Sequence, residues 1–142
     1  MNILKTIPAE VAKIIPINQL IVTRQNLSAF ADAIEQIQKQ LAKCPKLYET
    51  EKMEEHPVIF HYFAFTTDIY ICEYSPNERQ MFGYTILNSD LQNAEWGYIS
   101  LDEILLSKTL NLDYHFFEEQ TIEAILYKAY PKNFKKPKSL IK

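Results

Sequence analysis

The spacing of apolar residues predicts one long amphipathic helix in the first third of the chain. The apolar positions that recur three and four residues apart are Leu27, Phe30, Ile34, Ile37 and Leu41. Residues with this spacing lie on one face of an α-helix, and polar side chains fill the positions between them. The pattern therefore predicts a helix over residues 27–41 with one buried face.

The flanks of this helix carry their own signals. Asn26 or Ser28 is expected to accept hydrogen bonds from the first free N–H groups, and Pro45 is expected to end the helix. Upstream, residues 3–15 predict a short helical piece. Residues 17–23, rich in β-branched side chains, predict a first strand at a sheet edge.

Beyond Pro45 the apolar pattern changes from a helical period to alternation or continuous apolar character, which is typical of strands. Four strands are expected, at residues 58–65, 69–74, 80–87 and 95–99. The short connections between the first three have turn composition, so an antiparallel meander is the simplest topology. If the first turn centres on Thr67, His61 lies opposite Glu73 and Phe63 opposite Ile71.

The stretch AEWGYISLDEIL, residues 94–105, resembles the surroundings of a catalytic residue, but its spacing fits a strand that enters a helix. Ser100 and Glu103 form the pattern S-x-x-E, in which the two side chains cap the first turn reciprocally. Ile99 and Ile104 occupy the positions of a hydrophobic staple. We therefore interpret this stretch as a structural joint.

These elements predict the α+β fold class: an antiparallel β-meander packed against an amphipathic helix, with short flanking helices. A last helix is expected over residues 118–127. Residues 1–127 would form a single α+β domain, and residues 128–142 a lysine-rich C-terminal tail. With 142 residues, of which 47% are hydrophobic, the chain can bury a core without disulfides or metal.

Composition excludes several classes of protein. Two glycines are too few for a phosphate-binding loop, so a nucleotide site of that kind is not expected. No cofactor is predicted. The two cysteines, Cys44 and Cys72, lack the spacing of a zinc site and are expected to be free core thiols. Neither a signal peptide nor an apolar run of about 18 residues is present, which predicts a cytoplasmic protein with no membrane partner.

Charge is distributed unevenly along the chain. The net charge is −3, yet residues 128–142 hold six lysines and no acid, which leaves nine basic against eighteen acidic side chains elsewhere. The tail is expected to be a solvated, frayed end. An alternative is that it associates with nucleic acid through Lys132, Lys135, Lys136 and Lys138.

The candidate binding residues in the body are His61, Glu73, Glu95 and Asp113. A histidine oriented by a carboxylate can act as a general base or bind a metal, which gives an enzyme hypothesis for His61 and Glu73. No H-x-H or H-E-x-x-H pattern accompanies them, so a polar pair on a half-buried sheet is the favoured interpretation. No catalytic residue and no metal ligand are therefore predicted.

The acidic side chains suggest a different class of function. Those that could form one surface are Glu49, Glu51, Glu54, Glu55, Asp90, Glu95, Asp102 and Glu103. Such a surface can engage a basic patch on a protein partner, because complementary charge speeds encounter and selects partners. Aromatic stacking on nucleic-acid bases is disfavoured, since Arg79 is the only Lys or Arg in residues 58–106.

Several motifs also resemble a known family. The segments KLYETE, YFAFTTDIYICEY, MFGYTILN, AEWGYISLDEI and NLDYHFF, in residues 46–117, are similar to domain-of-unknown-function family 2958. The most specific matches are Glu73, Phe82, Gly83, Glu95, Gly97, Tyr98, Ser100, Leu101, Glu103 and Asp113. One departure is Leu112, where the family commonly has an arginine.

That family consists of small proteins of plasmids, phages and integrative elements, and it has no assigned activity. The resemblance implies an accessory protein of a mobile genetic element. Together with the charge pattern, it leads to a hypothesis of protein–protein contact, for example inhibition of a host defence or nucleic-acid enzyme.

Overall fold

A five-stranded antiparallel sheet forms the centre of this computed structural model, which describes residues 6–141. The strands are β1 (Pro57–Val58), β2 (Phe60–Ala64), β3 (Thr67–Ser75), β4 (Gln80–Ile86), β5 (Glu95–Ser100), β6 (Asn111–Leu112) and β7 (Gln120–Thr121). The central sheet has the order β5-β4-β3-β2-β6, while β1 and β7 pair separately as a short ribbon. The predicted meander and the α+β class are confirmed.

Helices cover both faces of the sheet. They are α1 (Ala9–Ala12), α2 (Ile17–Gln25), α3 (Leu27–Lys43), α4 (Leu101–Leu106) and α5 (Ile122–Ala129), with a 3₁₀ turn at Lys138–Leu140. The larger core cluster joins α3 and α4 to β2 and β3 on one face. A smaller cluster joins α5 to the opposite face through Cys72 and Ile86. Within residues 6–141, every helix is too short or too polar to span a bilayer.

The predicted helix over residues 27–41 is confirmed as α3, with Ile34 and Ile37 buried and Cys44 at its C-terminal end. Its N-terminal cap differs from the prediction. Asn26 occupies the cap position, but neither it nor Ser28 caps α3 through its side chain, and the Asn26 amide donates to the Val22 carbonyl instead. The Asn26 side chain therefore caps the C-terminal end of α2, the helix directly before it.

The predicted strand over residues 17–23 is wrong, because this segment forms α2. Two polar side chains one helical turn apart explain the difference. The Gln19 amide donates to the Leu112 carbonyl (2.9 Å) and accepts from the Leu112 N–H (2.7 Å), which completes the edge strand β6. The buried Thr23 hydroxyl bonds the Tyr114 hydroxyl at 2.8 Å. In a helix these two residues lie on one face a single turn apart, which brings both side chains to their partners, and these contacts outweigh the strand preference of the isoleucines and valine.

The predicted pairing of His61 with Glu73 is also wrong. The β2–β3 hairpin turns at Phe65 and Thr66, so His61 lies opposite Tyr70. Farther along β3, the register with β4 shifts between Ile71 and Glu73. Glu73 therefore lies three positions beyond Tyr70, the partner of His61. It also follows a β-bulge, which changes the alternation of side chains along β3.

The strand-to-helix joint at Ser100 is present, with the serine half of the predicted capping box; the Glu103 carboxylate does not bond the Ser100 N–H. The Ser100 hydroxyl oxygen accepts from the Glu103 N–H at 3.4 Å, and α4 begins at the next residue. Ile104 is buried in the larger core, and Ile99 packs against that cluster, as the staple requires. The spacing of residues 94–105 is therefore explained by the way β5 enters α4.

Replacing Ser100 with alanine is expected to destabilise the protein by about 1 kcal/mol, because the Glu103 N–H loses its partner at the helix start. Urea denaturation with matched far-ultraviolet circular dichroism measures this change. An unchanged unfolding midpoint would contradict the assigned cap.

The last helix starts later than predicted. Residues 120 and 121 pair with Pro57 and Val58 as a strand, and the Thr121 hydroxyl accepts from the Ala124 N–H at 3.1 Å to cap α5. The chain then returns to the body instead of fraying. Ser139 donates to Glu55 from its N–H (2.9 Å) and its hydroxyl (2.6 Å).

Candidate functional site

His61 lies between two aspartates on the face of the sheet that α5 covers in part. Its Nδ1 is 2.9 Å from Asp113 Oδ2, and its Nε2 is 2.7 Å from Asp68 Oδ1. The imidazole stacks on the Tyr70 ring with centroids 4.7 Å apart and lies beside Phe63 at 5.8 Å. The His61 side chain is only 13% exposed. These contacts fix the ring in one orientation.

This arrangement limits the chemistry available to His61. Each ring nitrogen lies within hydrogen-bond distance of a carboxylate oxygen, so both nitrogens are occupied by partners within the protein. A ring engaged at both nitrogens has no free lone pair to act as a base or to bind a metal. Within residues 6–141, no group of three or more His, Cys, Asp or Glu side chains could hold a metal ion. We interpret the Asp68–His61–Asp113 group as structural.

Glu73 lies in a different environment. It is 1% exposed, and its carboxylate accepts from the Tyr48 N–H (2.8 Å), the Thr50 N–H (2.9 Å) and the Thr50 hydroxyl. All three donors belong to the connector between α3 and β1. Glu73 therefore fixes this connector against the sheet and leaves little of its charge for a ligand.

Glu95 stands apart from the other predicted binding residues. It begins β5, opposite Thr85, and its side chain is exposed. Of the four predicted residues, the structure brings only His61 and Asp113 together. Asp68 is the partner that the sequence analysis missed, because the segment TTD had been assigned to a turn; the correct hairpin register would have placed it near His61.

The thiols are unsuited to nucleophilic catalysis. Burial raises the pKa of Cys44 to about 12, and the nearby carboxylates of Glu73 and Glu49 add to the shift. Burial likewise raises the pKa of Cys72, with a smaller contribution from Glu123. Because the thiolate is the reactive form, neither side chain reacts readily near neutral pH.

The predicted nucleic-acid residues divide into two groups. Lys138 pairs with Glu54 at 3.2 Å and helps to hold the C-terminal segment against the body. Lys132, Lys135 and Lys136 are exposed and make no ion pair with any residue from 6 to 141. Three free cations on one short segment form only a small basic surface.

The acidic connector carries two exposed tyrosines that the sequence analysis did not combine. Tyr48 is 63% exposed and Tyr98 is 50% exposed, and their rings meet edge to face with centroids 6.1 Å apart. The exposed Glu49 and Glu51 follow Tyr48 along the chain. We call Tyr48, Glu49, Glu51 and Tyr98 the tyrosine–glutamate surface.

Comparison of the chain with protein-family models, with curated proteins and with solved structures found no match. The resemblance to domain-of-unknown-function family 2958 therefore stays a prediction.

Proposed function

We propose that this protein is a non-enzymatic accessory protein that acts by contact with a basic protein partner. The tyrosine–glutamate surface is the proposed contact site. The observation that carries the proposal is the pair of exposed, touching tyrosine rings, with the exposed Glu49 and Glu51 next to Tyr48 in the chain. Tyrosine is enriched among the residues that dominate binding energy at protein interfaces.

The charge of this part of the molecule supports a basic partner. Within residues 58–106, Arg79 is the only Lys or Arg, and its Nε donates to Asp102 at 2.9 Å. Glu51 makes no hydrogen bond or ion pair through its side chain with any residue from 6 to 141. The exposed Lys46 and Lys52 lie in the same connector, but neither pairs with Glu51, so the Glu51 carboxylate can attract a cationic surface over a distance of about 8–10 Å at physiological salt.

The rigidity of the two rings also favours a contact site. Phe82 lies behind Tyr98 with centroids 5.1 Å apart, and Trp96 stacks on Phe82 at 5.6 Å. The backbone of Tyr48 is fixed by its hydrogen bond to Glu73. Side chains that are already ordered lose little conformational entropy on binding, so more of the contact energy appears as affinity.

The family resemblance extends the proposal to biology. An accessory protein of a mobile genetic element, present in the host cytoplasm, meets host enzymes whose basic channels bind nucleic acid. An acidic surface with aromatic side chains matches such a channel in charge. We therefore propose inhibition of a host defence or nucleic-acid enzyme as the biological role.

Two other functions compete with this one. An enzyme based on His61 and Glu73 is disfavoured, because the two side chains are bound to different partners and His61 has no free nitrogen. Nucleic-acid association through the C-terminal segment is favoured by the three unpaired lysines, Lys132, Lys135 and Lys136. The two binding hypotheses predict opposite results for the same set of variants.

Affinity capture from host extract, followed by titration of the captured protein, tests the proposal. Glu51→Lys is expected to weaken binding at least about tenfold, mainly by slowing association, and Tyr98→Ala by a similar factor through faster dissociation. Glu118→Lys makes the same charge change at an exposed site between β6 and β7, outside the tyrosine–glutamate surface, and should leave binding unchanged.

Replacement of Lys132, Lys135 and Lys136 by glutamine separates the alternatives. The proposal predicts that this variant captures the same partner with the same affinity. Loss of binding in the lysine variant, together with normal binding by Glu51→Lys and Tyr98→Ala, would overturn the proposal in favour of nucleic-acid association.

A further inference from the structure

A cleft of about 490 Å³ lies between the end of α3, the β1–β7 ribbon, α5 and the C-terminal segment. Its volume falls within the range of small-molecule sites in proteins. The apolar part of its wall consists of Pro45, Pro57, Val58, Ile59, Ala124 and Leu140. None of these residues belongs to the tyrosine–glutamate surface, so the cleft is independent of the function proposed above.

Gln40 is the most informative residue of the cleft. It lies on α3, is 6% exposed, and lines the cleft. Its amide makes no hydrogen bond with any residue from 6 to 141, yet none of its polar atoms is sealed from the open space. Buried amides are normally paired, because an unpaired one loses its hydrogen bonds to water. The Gln40 amide therefore bonds water in the free protein and is available to a ligand that enters the cleft.

The charged groups at the cleft leave one cation free. Lys43 Nζ lies 3.4 Å from Glu119 Oε1, and the charges of these two side chains largely cancel. Lys128, at the end of α5, makes no ion pair with any residue from 6 to 141. The residues that line the cleft thus supply an apolar wall, a buried amide that can both donate and accept, and the unpaired ammonium group of Lys128. The nearby Glu55 carboxylate is occupied by donors from Thr121 and Ser139.

We infer that this cleft binds a small organic carboxylate that carries an amide and an apolar group. This is the chemistry of an N-acylated amino acid, whether free or at the C terminus of a peptide. The carboxylate pairs with Lys128, the ligand amide bonds Gln40, and the apolar group packs on Val58, Ile59 and Leu140.

The C-terminal segment is a structural part of this site. Ser139 and Leu140 form one wall, and two hydrogen bonds from Ser139 to Glu55 hold that wall in place. Thr121, which also lines the cleft, donates to the same carboxylate at 2.7 Å. Docking of the segment therefore shapes the cleft.

Titration with N-acetyl-leucine, followed by nuclear magnetic resonance of the labelled full-length chain, tests the inference. Saturable shifts are expected for the Gln40 side-chain amide and for Lys128, with a Kd on the order of 1 mM for a ligand of this size. N-acetyl-leucinamide, which lacks the carboxylate, should bind at least about fivefold more weakly, since one charge-assisted contact is lost.

Matched variants identify the groups responsible. Gln40→Leu and Lys128→Gln are each expected to raise the Kd at least about fivefold. Lys132→Gln removes a charge from the same segment outside the cleft and should leave the Kd unchanged. Gln40→Leu should also keep the melting temperature of the free protein or raise it by about 3 °C, because no internal hydrogen bond is lost.

Three results would overturn the inference: no saturable shift near Gln40, equal binding of the acid and its amide, or an unchanged Kd for folded Gln40→Leu and Lys128→Gln. An acetylated tripeptide ending in leucine then separates the two ligand sources. Tighter binding of the tripeptide indicates a peptide C terminus, and equal binding indicates a free acylated amino acid.

Discussion

Replacing Gly83 with alanine is expected to destabilise the protein by about 3 kcal/mol, the upper part of the range for overpacked cores. A Cβ atom at this position would lie against the backbone carbonyl oxygen of Tyr70 on the neighbouring strand and 2.9 Å from its carbonyl carbon. Backbone atoms in a central strand cannot rotate away as the tip of a side chain can. The β3–β4 pair would therefore have to separate locally, and guanidinium denaturation measures the cost.

Gly97 provides a matched control, because it pairs with Gly83 across the β4–β5 ladder. A Cβ atom built there meets nothing within 4 Å. Gly97→Ala is therefore expected to leave the free energy of unfolding unchanged or to raise it by up to about 1 kcal/mol, through a less flexible unfolded chain. Equal effects of the two substitutions would contradict the close approach of Tyr70 to Gly83.

The absence of a side chain at Gly83 is connected with the β-bulge. Gly83 pairs with Ile71, the last residue before the register of β3 shifts, and Phe82 pairs with Glu73 just after it. Bulged strands bend and approach their neighbours unevenly, and glycine permits the close contact. The Phe82–Gly83 pair, noted in the sequence only for its family resemblance, thus has a physical role beside Glu73.

Local patterns in the sequence were sufficient to predict the helix α3, the meander and the joint at Ser100. Each of these elements depends on residues near one another in the chain, whose periodicity or capping chemistry is written directly in the sequence. The helix α2 was wrongly predicted as a strand for the opposite reason. Gln19 and Thr23 bond Leu112 and Tyr114, which are about ninety positions away.

The candidate site was predicted only in part, because its geometry depends on register. A shift of three positions in a hairpin changes which side chains meet across the strands. His61 consequently pairs with Asp68 and Asp113 instead of Glu73. Asp113 was selected from the sequence by family resemblance. Gln40 had no distinguishing signal in the sequence, because a glutamine on a helix is usually exposed, and its burial depends on how other elements pack against α3.

Replacing Glu73 with glutamine is expected to destabilise the protein by about 3 kcal/mol, although the two side chains have nearly the same shape. One carboxylate oxygen accepts from the Tyr48 N–H, and the other accepts from the N–H and the hydroxyl of Thr50. A glutamine NH₂ group cannot accept, so either orientation of the amide places a donor against a backbone donor. The buried N–H left without a partner, together with the lost charge-assisted bonds, makes the cost large.

Glu51→Gln makes the same chemical change at an exposed position of the same connector, and it should alter the free energy of unfolding by no more than about 0.5 kcal/mol. If Glu73 were instead a ligand-binding group held at a cost to the fold, its neutralisation would leave stability unchanged or increase it. Urea denaturation of both variants distinguishes the two roles. Because the connector carries Tyr48, hydrogen exchange of the Tyr48 and Thr50 amides should also become faster in Glu73→Gln and stay protected in Glu51→Gln.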